Sequence, residues 1–263
     1  MGQKDSTSNR TAHSQPTQKT VEIDSHEISF PIIAIGDSLT RGYYQKGIKY
    51  HPYCVELTRL LNMEVEKYKV YQFGVSGEQT SSMKERLPRF LLKQLTEYDV
   101  HYHCVDERFD NMTPNALPFV PSKDYRAAII IGGTNDLAFV KSSEDITNNL
   151  IDMYNTCLKQ QSIEWIIVCS IPSCFADDME HLQVKKQQVN ENIRNFVQQC
   201  NQKQQFPGKK LIFIDLMNDL NWRKCTPEER MEYWDTDKLH FTPKGSDKLA
   251  QIIFCGLKNA NML

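Results

Sequence analysis

Five short apolar runs, each followed by helix-forming sequence, limit what this chain can fold into more than any other feature. They occupy residues 30–35, 69–73, 127–131, 165–171 and 211–216 and are rich in Val, Ile or Phe. Short apolar runs of this composition are those of strands covered on both faces. Helix signals fall between them. Ser82-x-x-Glu85 and Ser142-x-x-Asp145 each offer a capping side chain and a partner carboxylate at a helix start. Thr226-Pro227-x-Glu229 and Thr242-Pro243 add proline at a first helical position. In 180–203, Val189, Ile193, Phe196, Val197 and Cys200 recur at offsets of 4, 7, 8 and 11, one face of a helix. Five strands alternating with helices predict a parallel sheet with helices on both faces. The 263 residues suffice for one large α/β domain or two small ones, and no internal repeat interrupts them.

Two stretches break the rhythm. Residues 1 to about 25 are rich in Ser, Thr, Gln and Lys with almost no large apolar side chain. Such a segment buries too little surface to offset its ordering entropy and reads as a disordered tail. Residues 99–123 hold three prolines and no clean period, which is long for a helix-to-strand connection. They read as an insertion over a sheet edge or part of a lid within one domain spanning 26–263.

An open parallel sheet binds ligands beyond the carboxyl ends of its strands. Gly36-Asp37-Ser38-Leu39 follows the first strand, Gly74-Val75-Ser76-Gly77 the second, and Gly132-Gly133-Thr134-Asn135-Asp136 the third. Asp237-Lys238-Leu239-His240 precedes the C-terminal helix. Together they offer a hydroxyl, a glycine amide, an asparagine amide, an imidazole and a carboxylate, the inventory of a serine hydrolase site. Taken singly, each has a plainer reading. Ser38 would cap the following helix, Asn135 would sit in a turn, and His240 would be a surface histidine. Asp37 and Asp136 read as carboxylates that brace loops. Tyr43, Tyr44, Tyr50 and Tyr53 either line a pocket beside Ser38 or pack as half-buried helix residues, and Tyr233 and Trp234 share that ambiguity.

These four blocks, in this order over roughly residues 30–260, resemble those of the SGNH/GDSL hydrolase superfamily: a GDS(L) start, a glycine block, a GxND block and a terminal DxxH. The resemblance implies a flavodoxin-like three-layer α/β/α sandwich around a five-stranded parallel sheet. By position it implies Ser38 as nucleophile, His240 as general base and Asp237 as the carboxylate that orients it. An oxyanion hole would come from the Ser38 and Gly77 backbone N–H groups and the Asn135 side chain. The implied activity is hydrolysis of a small-molecule carboxylic ester through an acyl-serine, with no metal or other cofactor. Thioesters and acylated sugars or lipids would follow the same chemistry, and a binding module on the same fold is a rival of a different class. A nucleotide-binding reading lacks its phosphate loop, since neither G-x-x-x-x-G-K-[ST] nor G-x-G-x-x-G occurs.

The remaining features limit partners and surroundings. A formal net charge of -2, from 31 basic and 33 acidic residues, gives no electrostatic reason to expect nucleic acid. Eight cysteines occur without a C-x-x-C pair and mostly in apolar contexts, which reads as reduced, buried thiols in a cytoplasmic protein. The sequons at Asn9 and Asn111 would then go unused. His101, His103 and Cys104 resemble a metal cluster in content but lack a well-spaced fourth ligand. Met1-Gly2-Gln3-Lys4-Asp5-Ser6 fits the N-myristoylation pattern at Gly2. One acyl chain there would support only weak, reversible membrane association.

Overall fold

The computed structural model describes residues 23–24, 29–95, 120–121, 123–139 and 141–263. Five strands form one parallel sheet: β1 (Phe30–Gly36), β2 (Tyr68–Gly74), β3 (Ala127–Ile131), β4 (Trp165–Cys169) and β5 (Lys210–Ile214). Their order is β2-β1-β3-β4-β5. Gly36 aligns with Gly74 on one side and with Ile131 on the other. Because the chain goes from β1 to β2 on one side and returns to β3 on the other, the order reverses at β1. A crevice opens at such a switch point, beyond the carboxyl ends of β1 and β3.

Alternation along each strand builds two cores. Ile32, Ala34, Val70, Ile129, Ile167 and Ile214 face the helices α2 (Tyr53–Leu61) and α8 (Pro243–Asn259) through Leu57, Leu249 and Ile253. Ile33, Ile35, Phe73, Ala128, Ile130 and Val168 face α3 (Thr80–Leu91), α5 (Ser143–Leu158) and α6 (Glu180–Gln202) through Met83, Leu87, Leu150 and Ile193. A fully buried aliphatic side chain stabilises such a layer by about 1.5–3 kcal/mol. The result is the three-layer α/β/α sandwich expected from the sequence. Short helices complete it: α1 (Ser38–Arg41), α4 (Thr134–Ala138) and α7 (Pro227–Tyr233).

Three of the four sequence-marked helix starts hold. Ser142 with Asp145, and Thr226 with Glu229, form reciprocal capping boxes, while Thr242 accepts from the Gly245 N–H. The Ser82 start does not. Helix α3 begins three residues earlier, at Thr80 rather than Met83, where Asp136 accepts the Thr80 N–H at 2.9 Å and the Thr80 hydroxyl at 2.7 Å. A carboxylate from another element thus replaces the local cap. The fourth and fifth strands also stop short of 171 and 216. The Ser170 hydroxyl takes the Leu216 N–H at 2.9 Å, so side-chain bonding replaces the ladder there.

Of the eight cysteines, Cys54, Cys157, Cys169, Cys174 and Cys200 are buried free thiols, Cys225 is half-buried and Cys255 exposed. Ile23–Asp24, within the segment read as tail, pairs in parallel with Val120–Pro121, within the segment read as insertion. Most of both segments lies outside the described residues, as do Gly2, Asn9, Asn111 and the His101, His103 and Cys104 cluster. No helix among the described residues is long and apolar enough to cross a membrane.

Candidate active site

Every strand-end block converges on the switch point. Strand β1 ends in Gly36 because there is no room for more: a Cβ there would sit 2.1 Å from Thr40 Oγ1 and 2.5 Å from the Ile131 carbonyl oxygen. The chain then turns into α1, and Asp37, not Ser38, is its cap, accepting the Leu39 N–H at 2.9 Å. That leaves the Ser38 hydroxyl for another partner. It lies 2.8 Å from His240 Nε2, a residue 202 positions away in sequence.

His240 is held by its own turn. Its Nδ1 is 2.7 Å from Asp237 Oδ2, while Asp237 Oδ1 accepts the backbone N–H groups of both Leu239 and His240 at 2.9 Å. In the tautomer that carries its proton on Nδ1, the ring donates to Asp237 and leaves Nε2 to accept from Ser38. Partial burial works against ionisation of Asp237. The hydrogen bonds from the His240 ring and from the two backbone N–H groups outweigh it and hold the carboxyl below its ordinary 3.8. The Asp237 side chain is about one-third exposed, at 36%.

Beneath the hydroxyl the chemistry differs. Asp37 is fully buried, and burial pushes its carboxyl up to about 7. The Leu39 N–H pulls it down, but Glu78 and Asp136 add negative charge nearby. Asn135 Nδ2 donates to the Glu78 carbonyl at 2.9 Å and lies 3.5 Å from Asp37 Oδ2. Glu78 is itself gripped by Arg86, whose Nε and Nη2 reach its carboxylate at 2.6–2.8 Å. Arg86 Nη2 also donates to the carbonyls of Gly36 and Phe73, tying together the ends of β1 and β2.

Gly77 occupies the third position of a turn closed by the Glu78 N–H on the Val75 carbonyl at 3.2 Å. Its φ of +79° is what requires glycine, since an added Cβ would meet nothing within 4 Å. Among the described residues, no protein acceptor meets the backbone N–H of Ser38 or of Gly77. Ser38, His240 and Asp237 are thus linked in series beyond β1, and Asn135 reaches the Glu78 carbonyl next to Gly77. A hydroxyl, an imidazole and a carboxylate linked in series is an arrangement that activates an oxygen nucleophile.

The tyrosines divide. Tyr44, Tyr50 and Tyr53 are buried packing residues, whereas half-buried Tyr43 lies with its ring centroid 4.4 Å from that of His240. Trp234 is buried and donates through Nε1 to the Ser173 carbonyl. Sequence reasoning missed Glu78, Arg86 and the placement of Tyr43 against His240. Arg86 did leave a trace: with Met83, Leu87 and Phe90 it shares the apolar face of α3, where an unpaired guanidinium would be costly. Among the described residues, no group of three or more His, Cys, Asp or Glu side chains is arranged to hold a metal ion.

The sequence profile of the GDSL-like Lipase/Acylhydrolase family matches residues 34–248. No curated protein sequence matches the chain. Among solved structures, the lipase/acylhydrolase from Enterococcus faecalis is similar in fold, with a TM-score of 0.59 at 17% identity over 88% of this chain and 96% of that one. The family 3 carbohydrate esterase of Clostridium thermocellum gives 0.58 at 18% over 88% and 96%. The aryl esterase of M. smegmatis gives 0.52 at 16% over 88% and 99%.

Proposed function

Because this chain belongs to the GDSL-like lipase/acylhydrolase family, we propose that it hydrolyses small-molecule carboxylic esters through an acyl-serine intermediate. The observation that supports this most is the unbroken series from Ser38 Oγ to His240 Nε2 at 2.8 Å and from His240 Nδ1 to Asp237 at 2.7 Å. In this reading Ser38 Oγ bonds to the ester carbonyl carbon as its proton passes to His240 Nε2. The carbonyl π pair moves onto oxygen, and the tetrahedral oxyanion takes hydrogen bonds from the Ser38 and Gly77 N–H groups and from Asn135 Nδ2. Each such donor is worth about 3–4 kcal/mol in the transition state.

Collapse of the oxyanion breaks the bond to the alcohol oxygen, which leaves with the proton from His240. Water then adds to the acyl-serine with His240 as base. The second collapse returns the proton to Ser38 Oγ and releases the carboxylic acid. Asp237 stays ionised throughout and balances the transient imidazolium.

A fluorophosphonate probe tests the reading, since it labels an activated serine. The expected outcome is stoichiometric labelling at Ser38, with loss of both labelling and ester turnover by at least about 10⁴-fold in Ser38→Ala. A folded Ser38→Ala protein that still turns over esters would end the acyl-serine mechanism. An unlabelled native chain would favour a binding module on this fold.

A further inference from the structure

We propose that Tyr43 is a positioning residue for His240, its ring fixing the plane of the imidazole and stabilising the imidazolium that forms when Ser38 gives up its proton. This rests on the acyl-serine reading above. The ring centroids are 4.4 Å apart with planes inclined at 44°, well inside the roughly 6 Å over which an aromatic face attracts a cation.

The chain goes to some expense to hold the ring there. Tyr43–Tyr44 pairs antiparallel with Lys49–Tyr50, and the turn between them runs through Gln45, Lys46 and Gly47 at φ of 49°, 57° and 80°. Two successive non-glycine residues in the left-handed region cost about 1 kcal/mol or more each and persist only where surrounding contacts demand it. Those contacts are present. The Gln45 N–H donates to Asp235 Oδ2 at 2.6 Å, and the Asp235 N–H donates to the His240 carbonyl at 2.8 Å. One buried residue therefore holds both the hairpin and the turn that carries the imidazole.

On the hairpin side, a Cβ at Gly47 would come within 2.5 Å of Tyr43 Cε2, so the ring is backed by bare main chain. Tyr50 meets it edge-on at 6.1 Å. Lys238, in the turn between Asp237 and His240, is also left-handed at φ 60°. Half of the six non-glycine positive φ values among the described residues thus fall in the two segments that bracket this ring pair.

Among the described residues, the titratable groups facing the imidazole are Asp237 from its own turn, Ser38 from α1 and Tyr43 from the hairpin. The Asp235 carboxylate is spent on Gln45 and Thr236, and the Lys238 side chain is exposed. Tyr43 is therefore the π face that the imidazolium meets. Its expected contribution is modest but readable.

Nuclear magnetic resonance titration of the His240 ring, with steady-state kinetics on a soluble ester, tests this in the native chain, Tyr43→Phe and Tyr43→Leu. In Tyr43→Leu, His240 should titrate about half a pH unit lower than in the native chain, with kcat down about 10-fold and KM little changed. Tyr43→Phe should restore both. An unmoved titration in a folded Tyr43→Leu protein, or a Tyr43→Phe protein that behaves like Tyr43→Leu, overturns the proposal. Should Tyr43→Leu not fold, Tyr43→Met gives the same comparison with an unbranched, adaptable chain. The titration needs no turnover. A native chain without esterase activity would therefore refute the acyl-serine reading by itself, separately from the ring contact.

Discussion

Two aspartates flank the Ser38 hydroxyl, and almost everything about them is opposite. Asp237, on the rim, is partly open to water, braced by N–H groups two and three residues away, and held below its ordinary range. Asp37, on the floor, is fully buried, has two carboxylates in its field, and is pushed up to about 7. The rim is a local device: one turn supplies the carboxylate, the donors that hold it and the imidazole it orients. The floor is assembled from distant chain segments, with Arg86 clasping Glu78, Glu78 taking Asn135, and Asn135 approaching Asp37. Charge on the rim is stabilised by hydrogen bonds and solvent. Charge on the floor is tolerated only through pairing or protonation.

If that contrast is right, the floor should fail through stability and the rim through rate. Arg86→Met removes the guanidinium from the buried Glu78 carboxylate and from the Gly36 and Phe73 carbonyls. The expected loss is about 3–5 kcal/mol, read as a lowered urea midpoint. A loss below about 1 kcal/mol would mean that the floor is not organised by this pair. Asp237→Asn should lower kcat/KM by about 10²–10³-fold, short of the about 10⁴ seen for a fully buried orienting carboxylate, while shifting stability by no more than about 1 kcal/mol. An equal collapse of stability would erase the distinction between rim and floor.

The smallest effect separates the two carboxyls by pH. A carboxyl raised from 3.8 to about 7 in the fold keeps its proton where the unfolded chain has lost it. The native state therefore binds more protons between about pH 4 and 7, and stability falls as pH rises across that window and is flat on either side. The shift allows at most about 4 kcal/mol, and relaxation around the buried group brings the expected fall to about 2. Asp37→Asn should flatten the native chain's decline over pH 4–7 in thermal unfolding. For Asp237 the sign reverses: its lowered value stabilises the fold above 3.8, and that contribution is lost as pH falls through it. A native decline that persists unchanged in Asp37→Asn would place the titrating group elsewhere.

The same contrast governs what the sequence makes legible. The five runs of Val, Ile and Phe give the sheet and both its faces, because burial on two sides leaves its mark on every residue of a strand. The rim is legible too, since Asp237 and His240 need only a spacing of three. Ser38, Gly77 and Asn135 are readable as strand-end residues once the order of the blocks is noticed. The floor is harder to read, because Glu78, just ahead of α3, looks like an ordinary surface charge, and Arg86 shows itself only by sharing the helix's apolar face. The Asp136 cap of α3 was invisible for the same reason: its partner Thr80 lies 56 positions away. The strained hairpin under Tyr43 left no mark either, since nothing in Gln45-Lys46 announces a left-handed backbone.

The separation of 202 positions between the Ser38 hydroxyl and the His240 imidazole also has a meaning in time. At about 5–20 residues per second, a ribosome makes His240 roughly 10–40 s after Ser38. The helix α8 that covers one face of the sheet follows only then. Throughout that interval the emerging chain carries the Ser38 hydroxyl without the imidazole that it meets in the finished fold. On the acyl-serine reading proposed above, a chain ending before residue 240 would be inert toward esters, and reactivity would switch on with the closing of the fold.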